Sequence, residues 1–448
     1  MALLRNKDVL FTPRKLLHLL WPLLVEQLLS VLIGMIDVVM VASLGEAAVS
    51  GVSLVDSINH LILQLLLALT TGGTVACAQF IGSRDTLSAS KSIAQLVFIS
   101  VLALSVITAF FLLAGKHMLA LIFGSVESVV MSNAVLYMRI TALSFPFLAL
   151  YHACSAGFRA TGNTRVSMLV SLGMNILNIA GNAICIFVFH MGVVGVAIPT
   201  LMARAIGAGA ILSLYQLQKN TISIRQWRQI KPDRAMLARI LAIGIPGSVE
   251  STLFNAGKIA LQSLVSSLGT PSIAAYAVGS NLVTYLYLPG NAIGAGMTTI
   301  VAQCHGAGAG RQARDYAKLL MALNYGMLAV ICAVLIGWRG FWVSCYHLTA
   351  PASVYAEELI FVHSVAMLIW PTAFLMPYYF RAIGRARFTM AVALFAMAVF
   401  RVALAYVFIR MLNKDVLWIW YAMFADWAFR TVVYCIAFQK ESTRRKAA

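Results

Sequence analysis

Pro22-Leu23-Leu24-Val25-Glu26 returns in this chain as Pro246-Gly247-Ser248-Val249-Glu250, and 246 − 22 = 224 gives the shift between them. The register then holds. Leu44-Gly45 recurs as Leu268-Gly269, Ala78-Gln79 as Ala302-Gln303 and Gly82 as Gly306, each at that same shift. Phe158-Arg159-Ala160-Thr161-Gly162 comes back as Phe380-Arg381-Ala382-Ile383-Gly384, at 380 − 158 = 222. Leu, Ala and Val align by chance in any apolar sequence, but Pro, Glu, Gly and Gln held in one register do not. The chain therefore reads as two copies of one unit, each near half of its 448 residues. Many transporters are built from such repeats, with the binding path between them.

Composition says where the copies reside. The chain is 61% hydrophobic and 11% charged, with a mean hydropathy of +0.87. Apolar runs of about 20 residues, the length that crosses a bilayer, recur along it. Twelve are expected, near 15–42, 51–81, 92–115, 134–158, 165–189, 192–216, 236–264, 274–303, 316–338, 357–381, 388–411 and 415–438. A bilayer offers the backbone no hydrogen-bond partners, so each must be helical. Six spans per copy return the chain to its starting side, which makes the repeats parallel and excludes inverted five-span repeats. The expected division is an N-lobe of residues 1–217, a linker over 218–239 and a C-lobe over 240–448. Lys231-Pro232-Asp233 lies in that linker.

A net charge of +18 could point to nucleic acid, but its distribution points to a membrane. Basic residues gather before the first span (Arg5, Lys7, Arg14, Lys15) and then in every second connection, as at Arg84 and Lys91 or Lys219, Arg225 and Arg228. The opposite connections hold Lys116, Arg339, Arg410 and Lys414. This positive-inside pattern places both termini in the cytoplasm. The seven cysteines are scattered through apolar spans without metal-ligand spacing and read as buried small hydrophobes. The first apolar segment is too long for a cleaved signal peptide and carries Glu26 and Asp37. No phosphate-binding loop is present, so the energy for transport must come from a gradient.

Each carboxylate inside the bilayer needs a reason, because it costs a few kcal/mol on insertion scales. Glu26 and Asp37 lie eleven residues apart in the first span. That is almost three turns, so both point the same way, about 16 Å apart. In the fifth span Asn178 and Asn182 share a face, and Thr200 follows in the sixth. Carboxylate, amide and hydroxyl oxygens suit a small hard cation or a protonation site, whereas amides alone also serve as interhelical hydrogen-bond partners. The second span carries Asp56, His60 and Gln64 in a polar stripe, matched in the eighth by Asn281 with Tyr287 nearby. Matching stripes would suit a wet central cavity, or equally a solvated outer end of each helix. Glu250 is the repeat partner of Glu26. Asp426 and Arg430, four residues apart, are expected to form a structural ion pair. Arg204 and Arg401 have no local partner in the sequence.

These residues resemble the multidrug and toxic compound extrusion (MATE) family over nearly the whole chain. The likeness rests on Pro22 followed by Asp37-Val38-Val39-Met40-Val41 and Leu44-Gly45, on Phe158 to Thr164, and on Gly195-Val196-Ala197. The resemblance implies an all-α integral membrane protein whose twelve transmembrane helices form a V-shaped pair of six-helix bundles. It implies alternating access and a monomer in a bacterial inner membrane. Asp37 would be the N-lobe aspartate, with Asn178, Asn182 and Thr200 around one ion site and Glu250 as the seventh-span glutamate. Two departures stand out. Many members carry Asp at the Asn182 position, so this site has one carboxylate fewer. Some members place an acidic residue in the tenth span, whereas Phe361 to Phe380 holds none.

The expected function is antiport of cationic amphipathic small molecules against Na⁺ or H⁺, with no cofactor, no metal beyond Na⁺ at Asp37 and no nucleic-acid partner. Asp37 is the expected coupling residue, with Glu26, Glu250, Asp56, His60, Gln64, Asn281 and Tyr287 as candidates for the cavity. A flippase or exporter of lipid-linked or metabolite substrates in the same superfamily is the alternative. A twelve-span major-facilitator antiporter would carry Asp-Arg/Lys-x-Gly-Arg/Lys after its second span, where this chain reads Gly82-Ser83-Arg84-Asp85-Thr86. An intramembrane enzyme would need a nucleophile–base or metal constellation, and the eight histidines are far apart in sequence.

Overall fold

The computed structural model describes residues 9–124, 126–217, 231–346 and 349–444. Residues 218–230 of the expected linker, with Lys219, Arg225 and Arg228, lie outside them, as do Arg5, Lys7, Arg445 and Lys446. Every regular element among the described residues is helical. In chain order these are α1 (Pro13–Ala42), α2 (Glu46–Gly82), α3 (Thr86–Phe123), α4 (Ser128–Leu143 continuing as Phe145–Ala160), α5 (Thr164–Val188) and α6 (Val194–Leu217). The second set is α7 (Arg234–Ser266), α8 (Thr270–Thr284, Tyr285–Tyr287 and Leu288–Gly306), α9 (Gly310–Gly337), α10 (Ala350–Ala366 continuing as Trp370–Ala382), α11 (Ala386–Met411) and α12 (Leu417–Arg444). Eight of these are long and apolar enough to cross a membrane on their own, and the bent pairs α4 and α10 pass the same test when each is taken as one span.

Several helices outrun their apolar cores, because polar caps extend them. Asp85 caps α3 by accepting a hydrogen bond from Ser88 N at 2.9 Å, so the helix starts at Thr86 rather than near residue 92. Thr12 and Pro13 start α1 in the same spirit, a side-chain acceptor followed by a ring that needs no N–H partner.

The duplication is written into the backbone. Left-handed residues recur in step: Gly45 at φ +92° and Gly269 at +86° (269 − 45 = 224), Gly162 and Gly384 both at +85° (384 − 162 = 222). Arg84 at +62° corresponds to Gly308 at +71°, and His190 at +49° to Asn413 at +48° (308 − 84 = 224; 413 − 190 = 223). The bends recur as well, by 44° at Ser144 in α4 and by 51° after Ala366 in α10. A widened, π-type turn over Ile184–Val188 in α5 has its partner at Val407–Met411 in α11. α11 carries a second such turn, Met397–Ala403, and Arg401 lies in it.

Contacts gather the chain into two compact units. The first takes residues up to 248 together with 302–309, and the second takes 249–301 and the residues from 310 onward. In the first, the start of α7 is tied down by polar contacts. Asp233 accepts from Ala235 N at 2.9 Å and Met236 N at 3.1 Å, and it forms an ion pair with Lys91 on α3. Gln95 Nε2 donates to Lys231 O at 2.7 Å while its oxygen accepts from Asp233 N at 3.2 Å.

The second unit contains a dry polar core. Arg430 Nε donates to Asp426 Oδ1 at 2.6 Å, as the four-residue spacing led one to expect. Arg401 joins them, its Nε 3.0 Å from Asp426 Oδ2, near enough for an ion pair but off the line of a hydrogen bond. All three residues are at most 3% exposed.

Candidate functional site

The site is built from five helices of the first unit and begins with Asp37. Asp37 is the one acidic residue in the last two turns of α1, and Val39, two residues on, is 71% exposed, as a lipid-facing residue would be. The carboxylate points the other way, toward α5. Asn182, 1% exposed, donates its amide to Asp37 Oδ1 at 3.2 Å. Asn178, one turn earlier on the same face, lies within 3.4 Å of Asn182 Nδ2 through its oxygen.

Close packing of α5 on α6 brings Thr200 into the group. A β-carbon at Gly181 would sit 2.7 Å from Pro199 Cβ, and one at Gly195 would sit 3.1 Å from the Cys185 carbonyl carbon, so bare α-carbons let the helices approach. Thr200 Oγ1 then lies 3.0 Å from the Asn178 amide while donating to Val196 O at 2.9 Å. Turning the Asn178 amide over gives a second arrangement. Its nitrogen would donate to Asp37 Oδ1 at 3.3 Å and its oxygen would accept from Thr200 Oγ1 at 3.0 Å and Thr200 N at 3.3 Å. Amide orientation is assigned from such networks. In that arrangement Asp37 is held by two amides. Asn182 Oδ1 is buried and accepts no hydrogen bond, which leaves an oxygen aimed into the group.

Asp37, Asn178, Asn182 and Thr200 line a cavity of about 450 Å³ together with Asp56, Tyr137 and Arg204. Asp56 on α2 accepts from Asn59 Nδ2 at 3.2 Å and from the Tyr137 hydroxyl at 3.2 Å. Arg204 lies one turn beyond Thr200 on α6 and donates to Ser144 Oγ at 2.6 Å, at the bend of α4. The cavity is walled elsewhere by Val38, Val41, Val49, Val52 and Val196. It can hold a small cation against carboxylate, amide and hydroxyl oxygens, or take up a proton at either carboxylate.

The remaining candidates from the sequence lie elsewhere. Glu26 is half-buried on α1, outside this cavity, with Oε2 buried and without a hydrogen bond. His60 and Gln64 bond to each other at 3.3 Å, also outside it. In the second unit, Glu250 likewise has a buried Oε2 without a hydrogen bond. Asn281 accepts from Tyr346 at 3.3 Å, and the Tyr287 hydroxyl lies 2.9 Å from His363 Nε2, with its ring 5.3 Å from that of Trp370. Sequence reasoning missed Tyr137 and Asn175 as lining residues. Tyr137 gave no signal in an apolar run, but Asn175 sits three residues before Asn178, on the face that reasoning had already chosen.

The MatE family model matches this chain twice, over residues 22–184 and again over 246–407. The chain is 27% identical over 460 residues to YisQ of Bacillus subtilis, an uncharacterized transporter, covering 97% of this chain and 95% of that one. It is also 27% identical over 302 residues to NorM of Thermotoga maritima, a probable multidrug resistance protein, covering 66% of this chain and 64% of the relative. The fold superimposes on an outward-facing multidrug resistance MATE transporter with a TM-score of 0.90 at 18% identity, covering 97% and 96% of the two chains. A MATE transporter in the bent conformation gives 0.89 at 19% identity, covering 100% of this chain and 97% of that one. Those structures set the twelve-helix transmembrane fold. With both halves matched in the register that the prolines first showed, the chain belongs to the MatE family of multidrug and toxic compound extrusion transporters.

Proposed function

We propose that this membrane transporter is a secondary antiporter that exports cationic amphipathic small molecules in exchange for Na⁺ or H⁺ by alternating access. One observation carries the reading: Asp37, inside an apolar helix, is turned into a polar cavity and held there by Asn182 at 3.2 Å. A carboxylate kept in a membrane at that cost is a coupling group when an ion can reach it. Ion or proton binding at Asp37 changes which hydrogen bonds the amides of Asn178 and Asn182 prefer. A shift of that kind biases one access state over the other. Asp37 is the coupling residue, and Asn178, Asn182 and Thr200 form its immediate surroundings. In this reading the protein works as a monomer, and its basic connections face the cytoplasm with both termini.

Export of a lipid-linked or metabolite substrate is the second reading, favoured by Lys258 on α7 in the second unit, a cation over the Phe254 ring that joins no ion pair among the described residues. Proteoliposomes separate the two. Efflux of an organic cation driven by an imposed Na⁺ or H⁺ gradient, and lost in Asp37→Asn, is the expected result. Gradient-independent movement, or gradient-driven efflux retained by Asp37→Asn, removes the antiport reading.

A further inference from the structure

The cavity around Asp37 contains a cation of its own. Among its lining residues the full charges are Asp37, Asp56 and Arg204, so the wall carries one net negative charge. Arg204 and Asp56 both line the cavity, and no ion pair joins them: Asp56 is held by Asn59 and Tyr137, and Arg204 by Ser144. Arg204 is not a loose side chain that could swing out of the way. Its Nη1 is held by Ser144 Oγ at 2.6 Å, and Ser144 is itself fixed at the α4 bend by donating to Thr141 O at 2.5 Å.

The corresponding place in the second repeat shows the other outcome for such groups. Asp426 falls within a residue of Arg204's counterpart (204 + 222), and Arg401 within a residue of Asn178's. There carboxylate and guanidinium have collapsed into a dry ion pair, with Arg401 and Asp426 3% and 0% exposed. In the first repeat the opposite charges stand apart on the wall of an open cavity. Separated charges of this kind are available to a ligand, and collapsed ones are not.

We infer that Arg204 sets the valence of what the cavity accepts: by offsetting Asp56 it leaves one uncompensated negative charge, so the site takes one monovalent cation at a time. The inference rests on the antiport reading and adds to it. A single charge would be shared in turn by the coupling ion and by an organic monocation, so the two exclude each other one for one. A dication in the same wall would leave a positive charge in a low-dielectric site, an unfavourable state. Without Arg204 the wall would carry two negative charges and that objection would disappear.

The test uses the full chain in proteoliposomes, with tetraphenylphosphonium as the monocation and methyl viologen as the dication. Arg204→Gln is expected to raise the transport ratio of dication to monocation roughly tenfold, the size of effect one unit charge has at several ångströms in a partly screened site. The Asp56→Asn, Arg204→Gln double variant restores one net negative charge and returns the ratio to the wild-type value. Arg204→Lys keeps the charge while disturbing the Ser144 contact, and it keeps the wild-type ratio. An unchanged ratio in Arg204→Gln, or a double variant that fails to restore it, overturns the assignment. Equal loss of both substrates in Arg204→Gln and Arg204→Lys also overturns it, since that marks a packing role only. Wild-type protein that moves neither probe under either gradient removes the antiport reading itself, a result distinct from an unchanged ratio.

Discussion

Gly82 on α2 and Gly306 on α8 hold the same place in the two repeats (306 − 82 = 224), and each packs against the glutamine that precedes the other. A β-carbon at Gly82 would collide with the backbone oxygen of Gln303, and one at Gly306 would collide with that of Gln79. Gln79 and Gln303 are themselves repeat partners (303 − 79 = 224), so the crossing is symmetric in its own residues. The glutamine side chains complete it: Arg239 Nη2 donates to Gln79 Oε1 at 2.7 Å, and Gln303 Nε2 donates to Ala160 O at 2.6 Å.

A single methyl group should therefore separate these helices. Gly82→Ala and Gly306→Ala are each expected to cost about 1–3 kcal/mol, the range for forcing an extra methyl into a packed contact. Gly326→Ala, where nothing lies within 4 Å of the added atom, serves as the reference. Thermal melting in detergent measures both. Equal melting temperatures for Gly82→Ala and Gly326→Ala would refute the close crossing.

The buried charges of the second unit should rank their own variants. Asp426→Asn leaves Arg401 and Arg430 without a counter-charge and is expected to destabilise the protein by about 3–5 kcal/mol. Arg401→Met removes a guanidinium while the aligned 2.6 Å bond from Arg430 to Asp426 remains, so its cost should be smaller. Melting curves that reverse this order would show that the pairings are wrongly assigned.

At the connection before α7, Lys91 beside Asp233 holds that carboxyl below its usual range, and the backbone N–H of Met236 acts in the same direction. A carboxyl lowered in the folded state contributes stability above its unfolded value, about 4, and loses that contribution as pH falls through the folded value. The melting difference between wild type and Asp233→Asn should thus be constant from pH 8 to about pH 5 and close in stronger acid. A difference that instead changes between pH 6 and 8 would mean another group controls this contact.

Coupling should respond to the amides as well as to Asp37. Asn182→Leu removes the 3.2 Å donor to Asp37 and the buried oxygen beside it. We expect gradient-driven efflux to fall about tenfold or more, the loss associated with one hydrogen bond to a charged group. Asp37→Asn is expected to abolish it. Retained full efflux in Asn182→Leu, measured in the same vesicles, would place ion coupling elsewhere.

What could be read in the sequence was what repeats or lies on one helix. The register of Pro22 and Pro246 is enough to find the two halves, and the spacing of Asn178 and Asn182 is enough to find a shared face. The pairing of Asp426 with Arg430 is an i, i+4 relation and was equally visible. Arg401 was not, because its partner Asp426 belongs to another helix and Arg401 lies in a widened turn that shifts helical phase locally. The same limit hid Tyr137, whose hydroxyl reaches Asp56 from a helix 81 residues further along. Tyr287 read as a polar group available to a cavity. Its hydroxyl also bonds to His363 across 76 residues, a relation that no local pattern carries.

The Arg401–Asp426–Arg430 cluster also bears on biogenesis. α12 is not one of the eight helices apolar enough to span on their own, and two charges of the cluster sit in its middle, each worth about 3 kcal/mol against entry into lipid. Asp426 meets one guanidinium from its own helix and one from α11, so α12 carries a paired charge of its own while Arg401 finds its counter-charge on α12. A chain halted after α11, a helix apolar enough to enter alone, would hold Arg401 in the bilayer before its counter-charge on α12 had been made.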